Sequence, residues 1–331
     1  MSQAAAEKTQ ENNRAHNTLP ENRLTPGMAI ACFFLLIYFI LIAYPMFWLI
    51  MNSLKTYKEI YKNIWAMPQA PQWMNYVNAW NRGISRYFLN SVLVTGATIG
   101  LTIFAAALGS YALARFRFRG NQLVFTLCMG GMMLSPQVTL IPLYQIIRAL
   151  HIHNTYFAMI IPYTAYRIPM MVMLIRSFFL TIPKEMEESA CLDGCTDFQI
   201  FVHIFLPMAK PILLTCCILI AYYAWNEFLF AMIFVNSEAL KTIPTGLMNL
   251  RDALQTDWGT LLAGMTISAL PLIILFFCMQ KHFIRGMTAG AVKGESEKGR
   301  ILVCVCVPSS KTLHIKWIEH ADSDIVRMCP A

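Results

Sequence analysis

Residues 181–211 form a charged, patterned segment between two long apolar stretches, and its residue types suit recognition of a partner. Glu185, Glu187 and Glu188 cluster at its start, with Asp193 following. An integral-membrane enzyme would need convergent acids, bases or metal ligands at one membrane face. Here the acids concentrate in this one segment, and Cys191 and Cys195 lack the further ligands of a zinc site. The chemistry on offer is charge and shape presented to a soluble partner.

Two short helices must position those groups. Pro183 suits a first helical turn, where its missing N–H has no intrahelical partner to lose. The three glutamates then fall where the positive end of the helix dipole favours carboxylates. Gly194 ends this helix, because glycine takes the left-handed conformation of a C-terminal cap most easily. Thr196-Asp197-Phe198-Gln199 fits a capping box for a second helix, in which Phe198, Phe201, Val202 and Phe205 make one apolar stripe. Pro207 and Pro211 close that helix and open the next apolar run. An amphipathic loop lying on the bilayer would explain the phenylalanines. It leaves the acidic first helix unexplained, since an anionic inner leaflet repels it.

Composition fixes the class. Hydrophobic residues make up 57% and charged residues 13% of the 331-residue chain, the latter about half the ~25% usual in soluble domains. Six runs, near 28–51, 91–113, 122–147, 155–178, 212–235 and 259–281, suffice to cross ~30 Å of hydrocarbon as helices. The expected fold is an all-α integral membrane protein with six transmembrane helices and a cytoplasmic helix-turn-helix loop over 181–211. Segment 1–27 reads as a polar, mobile cytoplasmic N-terminus, 28–294 as the six-span domain, and 295–331 as an atypical tail with a short β-like run at 301–307.

Orientation follows the basic residues. Twelve Lys and Arg fall on the side of the termini and the 181–211 loop, against eight on the other. The Arg115, Arg117 and Arg119 cluster is the strongest single vote, and it places both termini and the loop in the cytoplasm. Residues 55–90 and 236–258 then lie outside. The formal charge of +8 suits basic cytoplasmic edges, and no basic-aromatic array suggests nucleic acid. The ten cysteines fall mostly in spans or in the loop and read as small apolar residues.

Polar residues within spans are costly and therefore informative. Asn226 and Glu227 fall midway along the fifth run and Arg167 in the fourth. They line a solute path, with Tyr163, Tyr166 and Trp225 offering stacking faces, or they form an interhelical lock such as a Glu227–Arg167 pair. The residues leave both open. His151 and His153 read as solvated loop residues with no metal, and Pro142, Pro162, Pro169 and Pro271 as kinks within spans.

The spacing Glu-x-Ala-x-x-x-Gly, nine residues, Ile-x-Leu-Pro from Glu188 to Pro207 resembles the signature loop of permease subunits of binding-protein-dependent ABC importers. Further stretches are similar to the maltose-type, carbohydrate-transporting group. They include Asn90-Ser91, Tyr111-Ala112-Leu113-Ala114-Arg115-Phe116, Ile141-Pro142-Leu143-Tyr144, Trp225-Asn226-Glu227-Phe228 and Thr242-Ile243-Pro244-Thr245-Gly246-Leu247. The resemblance spans about 28–294 and implies a bacterial or archaeal inner-membrane permease. It implies as partners a second homologous permease subunit, two cytoplasmic ATPase subunits and an extracytoplasmic solute-binding protein, all within membrane lipid. ATP would be bound by the ATPase subunits, this chain needing no cofactor, and no Walker-A pattern occurs here. Glu188, Ser189, Ala190, Asp193, Gly194, Ile204, Leu206 and Pro207 would carry the coupling to the ATPase. Ser189 replaces the commoner alanine. Glu188 would anchor to a basic group of the ATPase or, more blandly, pair with Lys184 one turn back. The competing class is a self-contained secondary transporter or channel, for which Glu227 alone would have to supply ion coupling.

Overall fold

The computed structural model describes residues 26–250 and 257–291, so expectations for the segment before residue 26 and for the 295–331 tail lie outside the described residues. Every element among the described residues is helical. Helix α1 (Pro26–Ser53) is apolar on all sides, and Phe33 to Leu41 along it are exposed, with none of the described residues covering them. Such a helix suits a surrounding as apolar as itself.

A short helix α2 (Tyr57–Lys62) follows, closed by a capping box between Thr56 and Glu59. The Thr56 backbone N–H donates to the Glu59 carboxylate at 2.9 Å and holds its pKa below the ordinary value. Lys55 is buried to 1% exposure, its Nζ donating to Asn52 Oδ1 at 2.9 Å and to the Ile64 carbonyl at 2.7 Å. Burial pushes its pKa down. A lysine that reads in the sequence as loop charge is therefore a tie between α1 and the loop after it.

Helix α3 (Met74–Ala79) is joined to α4 (Ser85–Arg115) across a kink at Trp80–Ile84, where Gly83 takes φ +113°. Much of the 55–90 stretch expected as outside loop is therefore helical, and the second long helix begins at Ser85, just past the kink at Gly83, not near 91. An apolar-run criterion sees only the hydrocarbon-spanning part of a helix. Ala79, Ile84 and Tyr87 are held instead by packing, in a cluster with Leu261 and Ala263.

Helices α5 (Asn121–Gly131) and α6 (Pro136–Ala149) meet at 102°. Helix α7 (Phe157–Phe179) lies against α4, their main contact lined by Ala106, Ala107 and Ser110. Small residues let the two backbones approach closely, and Ser110 Oγ donates to the Val172 carbonyl at 3.1 Å. The patterned loop holds α8 (Lys184–Leu192), α9 (Asp197–Ile200), a π turn at Phe201–Phe205 and α10 (Leu206–Met208). Then come α11 (Lys210–Asn226), α12 (Leu229–Phe234), α13 (Ile243–Gly246) and α14 (Trp258–Ala291).

Among the described residues four helices are long and apolar enough to cross a membrane, and up to six spans result if each bent pair counts as one. The sharp bends are at 132–135, and at Ala209, where the axes turn by 75°. The prolines expected to kink spans, Pro142, Pro162, Pro169 and Pro271, all lie inside unbroken helices. Neighbouring helices and local adjustment keep such helices continuous through a proline in apolar surroundings. The bundle has an aromatic end, carrying Trp48, Trp65, Trp73, Trp80 and Trp258. At its opposite end Arg115 and Arg176 sit beside the patterned loop.

Candidate functional site

At the arginine end the chain builds a helix-turn-helix. Pro183 takes the N-cap position, one residue before the helical turn expected for it. Helix α8 closes in a Schellman motif: the Cys195 N–H donates to the Ala190 carbonyl and the Gly194 N–H to the Cys191 carbonyl, each at 3.0 Å. Gly194 has φ +81°. Thr196 then caps α9, its backbone N–H donating to Gln199 Oε1 at 2.8 Å.

The buried stripe of the return limb is Ile200, Phe201, Ile204 and Phe205. Phe198, expected on it, is 68% exposed. The π turn inserts an extra residue into the helical repeat and rotates the buried face, which a fixed 3.6-residue period does not anticipate. Leu206 is half-buried and Pro207 exposed. Ala190 is buried in the hinge between the limbs, whereas Glu188, Ser189, Cys191, Leu192, Asp193 and Gly194 form the free surface. Leu192 is 90% exposed, and the Ser189 hydroxyl donates to the Glu185 carbonyl of its own helix.

Among the described residues Glu188 makes no ion pair, so the bland Lys184–Glu188 pair is not formed. The paired carboxylate is that of Glu187, whose Oε2 stands 3.5 Å from Arg115 Nε. The Arg115 Nη2 donates to the carbonyls of Phe179 at 2.9 Å and Ile182 at 2.8 Å, and its guanidinium lies 4.7 Å from the Phe205 ring centroid. One turn back, Tyr111 donates to the Asp197 carbonyl at 3.3 Å and packs against Phe201 and Phe205. The end of α4 thus holds both limbs of the loop. Sequence reading missed this role of Tyr111 and Arg115; their only signal was the Tyr-Ala-Leu-Ala-Arg stretch, which names residues without naming contacts.

The second polar locus lies where α11 stops. The fifth apolar run does not continue as one helix: α11 ends at Asn226, and Glu227 turns the chain into α12. The Glu227 carboxylate accepts from the backbone N–H of Phe230 at 3.0 Å and of Ala231 at 3.2 Å, and from the Tyr163 hydroxyl at 2.6 Å. It caps a helix N-terminus and ties it to α7. The Glu227–Arg167 pair is therefore not formed. Arg167 instead lies 3.6 Å over the Tyr223 ring, and its Nε makes no hydrogen bond.

Tyr163 and Trp225 do not offer stacking faces in this arrangement. Tyr163 is fully buried, and Trp225, its Nε1 donating to the Ser268 carbonyl at 3.0 Å, sits edge-on to Phe88. Tyr166, Arg167 and Glu227 are half-buried and Asn226 is exposed, so these four remain accessible. Tyr166 meets the Thr139 hydroxyl, and Asn226 Nδ2 donates to the Tyr222 carbonyl at 2.8 Å. A cleft of about 290 Å³ opens beside this locus, lined by Phe228, Met232, Asn236, Lys241 and Met248 among others. His151 is exposed, but His153 is half-buried against the edge of Tyr144, unlike the solvated residue expected. No group of three His, Cys, Asp or Glu among the described residues is placed to hold a metal ion.

The described residues form a helical bundle long and apolar enough to cross a membrane, with a capped helix-turn-helix at one end. Residues 98–289 match the family described as the binding-protein-dependent transport system inner membrane component. A probable ABC transporter permease protein, YurM, of Bacillus subtilis (strain 168) is 54% identical over 275 residues, covering 83% of this chain and 92% of that one. The arabinooligosaccharides transport system permease protein AraQ of the same organism is 33% identical, over 81% of this chain and 96% of that one. A solved bacterial ABC transporter involved in import of the acidic polysaccharide alginate has the same fold. Its TM-score is 0.69 at 22% identity, over 77% of this chain and 95% of that one. The chain belongs to the binding-protein-dependent inner membrane components: it is a multi-pass permease subunit of an ABC importer, not an enzyme. The self-contained secondary transporter or channel is set aside by that membership.

Proposed function

We propose that this permease carries a carbohydrate across the inner membrane, in a complex with a second homologous permease, two ATPase subunits and the extracytoplasmic protein that delivers the solute. Relatives named for arabinooligosaccharides and for trehalose and maltose support the solute class. The spans number six, with each bent pair counted as one, and residues 28–294 form the permease domain. Both termini and the arginine end face the cytoplasm, where ATP is bound by the ATPase subunits alone. The aromatic end then faces outward, its tryptophans at the level that indole rings favour in a bilayer.

The observation that carries the reading is the free surface of the helix-turn-helix. Glu188, Ser189, Asp193 and Gly194 are exposed around a conformationally fixed turn, while Ala190 and Ile204 hold its underside. Leu206 and Pro207 lead the return limb back to the bundle. The unpaired Glu188 carboxylate is available to a basic group of the ATPase. Tyr166, Arg167, Asn226 and Glu227 are the accessible polar groups of the solute path, and Tyr163 and Trp225 support them from behind.

The test is co-expression of the chain with its partner subunits and affinity purification through this chain. ATPase subunits should co-purify and account for all ATP hydrolysis, and the chain purified alone should hydrolyse none. Steady hydrolysis by the isolated chain would overturn the assignment.

A further inference from the structure

One cation touches every element that must move together if the loop is to drive the bundle. Arg115 ends α4, and its side chain is 5% exposed. Its Nη2 donates to the carbonyls of Phe179 and Ile182, the frayed end of α7 and the link beyond it, at 2.9 and 2.8 Å. Those carbonyls lie at the negative end of the α7 dipole, where a guanidinium is favoured. Its face covers Phe205 of the return limb at 4.7 Å. Its Nε faces the Glu187 carboxylate of α8 at 3.5 Å.

The last contact is incomplete. Arg115 Nε is buried and makes no hydrogen bond, and the carboxylate beside it stands just beyond good hydrogen-bond distance for N–H···O. A buried donor left without a partner is unfavourable. A shift of α8 toward α4 of about 0.6–0.8 Å would complete this bond, since charge-assisted N–H···O contacts settle at about 2.7–2.9 Å. Glu187 is the side chain of α8 that reaches Arg115, and Glu188 beside it points away into the free surface.

We propose that Arg115 is a positioning residue for transport: with Glu187 it forms a latch that closes when the loop is pushed inward, so that displacement of α8 moves α4 and α7 as one body. This rests on the helix-turn-helix being the ATPase-docking element. Without the latch, the link at 180–183 absorbs the displacement. An arginine is required because lysine is a point charge and cannot bond two carbonyls, face a carboxylate and lie flat on a ring at once.

Coupling between two sites is reciprocal. That reciprocity binds affinities and not rates, so the readout is empirical: if the loop drives the bundle, the binding protein acting on the outer face is expected to change hydrolysis on the inner one. The experiment uses the complete complex in proteoliposomes, with the cognate binding protein purified from cells carrying its native load. ATP hydrolysis is measured with and without that protein in wild type, Arg115→Met, Arg115→Lys, Glu187→Gln and the Arg115→Met/Glu187→Gln double variant. A merely structural role lowers both rates together, through the amount of complex assembled. The latch moves their ratio.

The expected result is ATPase subunits that still co-purify with Arg115→Met, and a stimulation ratio reduced at least fivefold. Arg115→Lys and Glu187→Gln fall between it and wild type, and the double variant is no worse than Arg115→Met, because the pair acts as a unit. A wild-type ratio in Arg115→Met overturns the latch and leaves the docking reading standing. If Arg115→Met does not assemble, the two mild variants decide, and wild-type ratios in both overturn it. Loss of co-purification in Gly194→Val, measured alongside, reports on the docking reading separately.

Discussion

Gly194→Val tests the turn on which the docking surface depends. At φ +81° an added Cβ meets nothing within 4 Å, so an alanine there brings no crowding inside this chain. The cost is in the backbone. A left-handed conformation costs an L-residue about 1–2 kcal/mol, and a β-branched residue there is a genuine outlier. If the turn flips to escape that strain, the bonds from Cys195 to Ala190 and from Gly194 to Cys191 are lost as well. At about 1 kcal/mol net each, their loss is comparable to the strain. The two effects oppose each other: strain raises the flipped-to-turned ratio about tenfold per 1.4 kcal/mol, while the lost bonds resist the flip, so a large share of valine loops leaves the correct turn and the rest keep it only under strain. Asparagine tolerates the left-handed cap and alanine does not, so co-purified ATPase should fall in the order glycine, asparagine, alanine, valine. The assay is ATPase stoichiometry after affinity purification, with membrane insertion checked on the same samples. A valine variant that holds the ATPase as wild type does would show that this turn is not the docking element.

Tyr163→Phe removes the 2.6 Å bond to Glu227 without changing ring volume. A hydrogen bond to a charged group contributes about 1.5–3 kcal/mol, so the midpoint of thermal unfolding in detergent should fall, and an unchanged midpoint would refute the tie. Gly246→Ala would place its methyl group within the Tyr87 ring, an overpacking of about 1–3 kcal/mol that Tyr87→Leu should relieve in the same unfolding assay. Gln69→Cys should react with an impermeant maleimide in intact cells above the background of the parent chain, because Gln69 is exposed at the aromatic end. Reaction only after permeabilisation would reverse the orientation.

The sequence alone determined whatever depends on local chemistry. Apolar runs longer than a bilayer needs require helices, since hydrocarbon leaves no other partner for the backbone. The Gly194 turn and the Thr196–Gln199 capping box were legible because a cap is a bargain among residues at most five apart. Tertiary structure decided the rest, because packing pairs residues that no spacing relates. Arg115 and Glu187 are 72 positions apart, and of the two ion pairs that spacing offered as alternatives, Lys184–Glu188 and Arg167–Glu227, neither forms among the described residues. Glu227 found backbone N–H groups instead, because the fifth run breaks at that residue and exposes a helix N-terminus whose free N–H donors a carboxylate satisfies. The π turn at 201–205 likewise changed which phenylalanines are buried, and its Phe201 and Phe205 pack against Tyr111. Periodicity describes a helix by itself; a face is buried only by what lies against it.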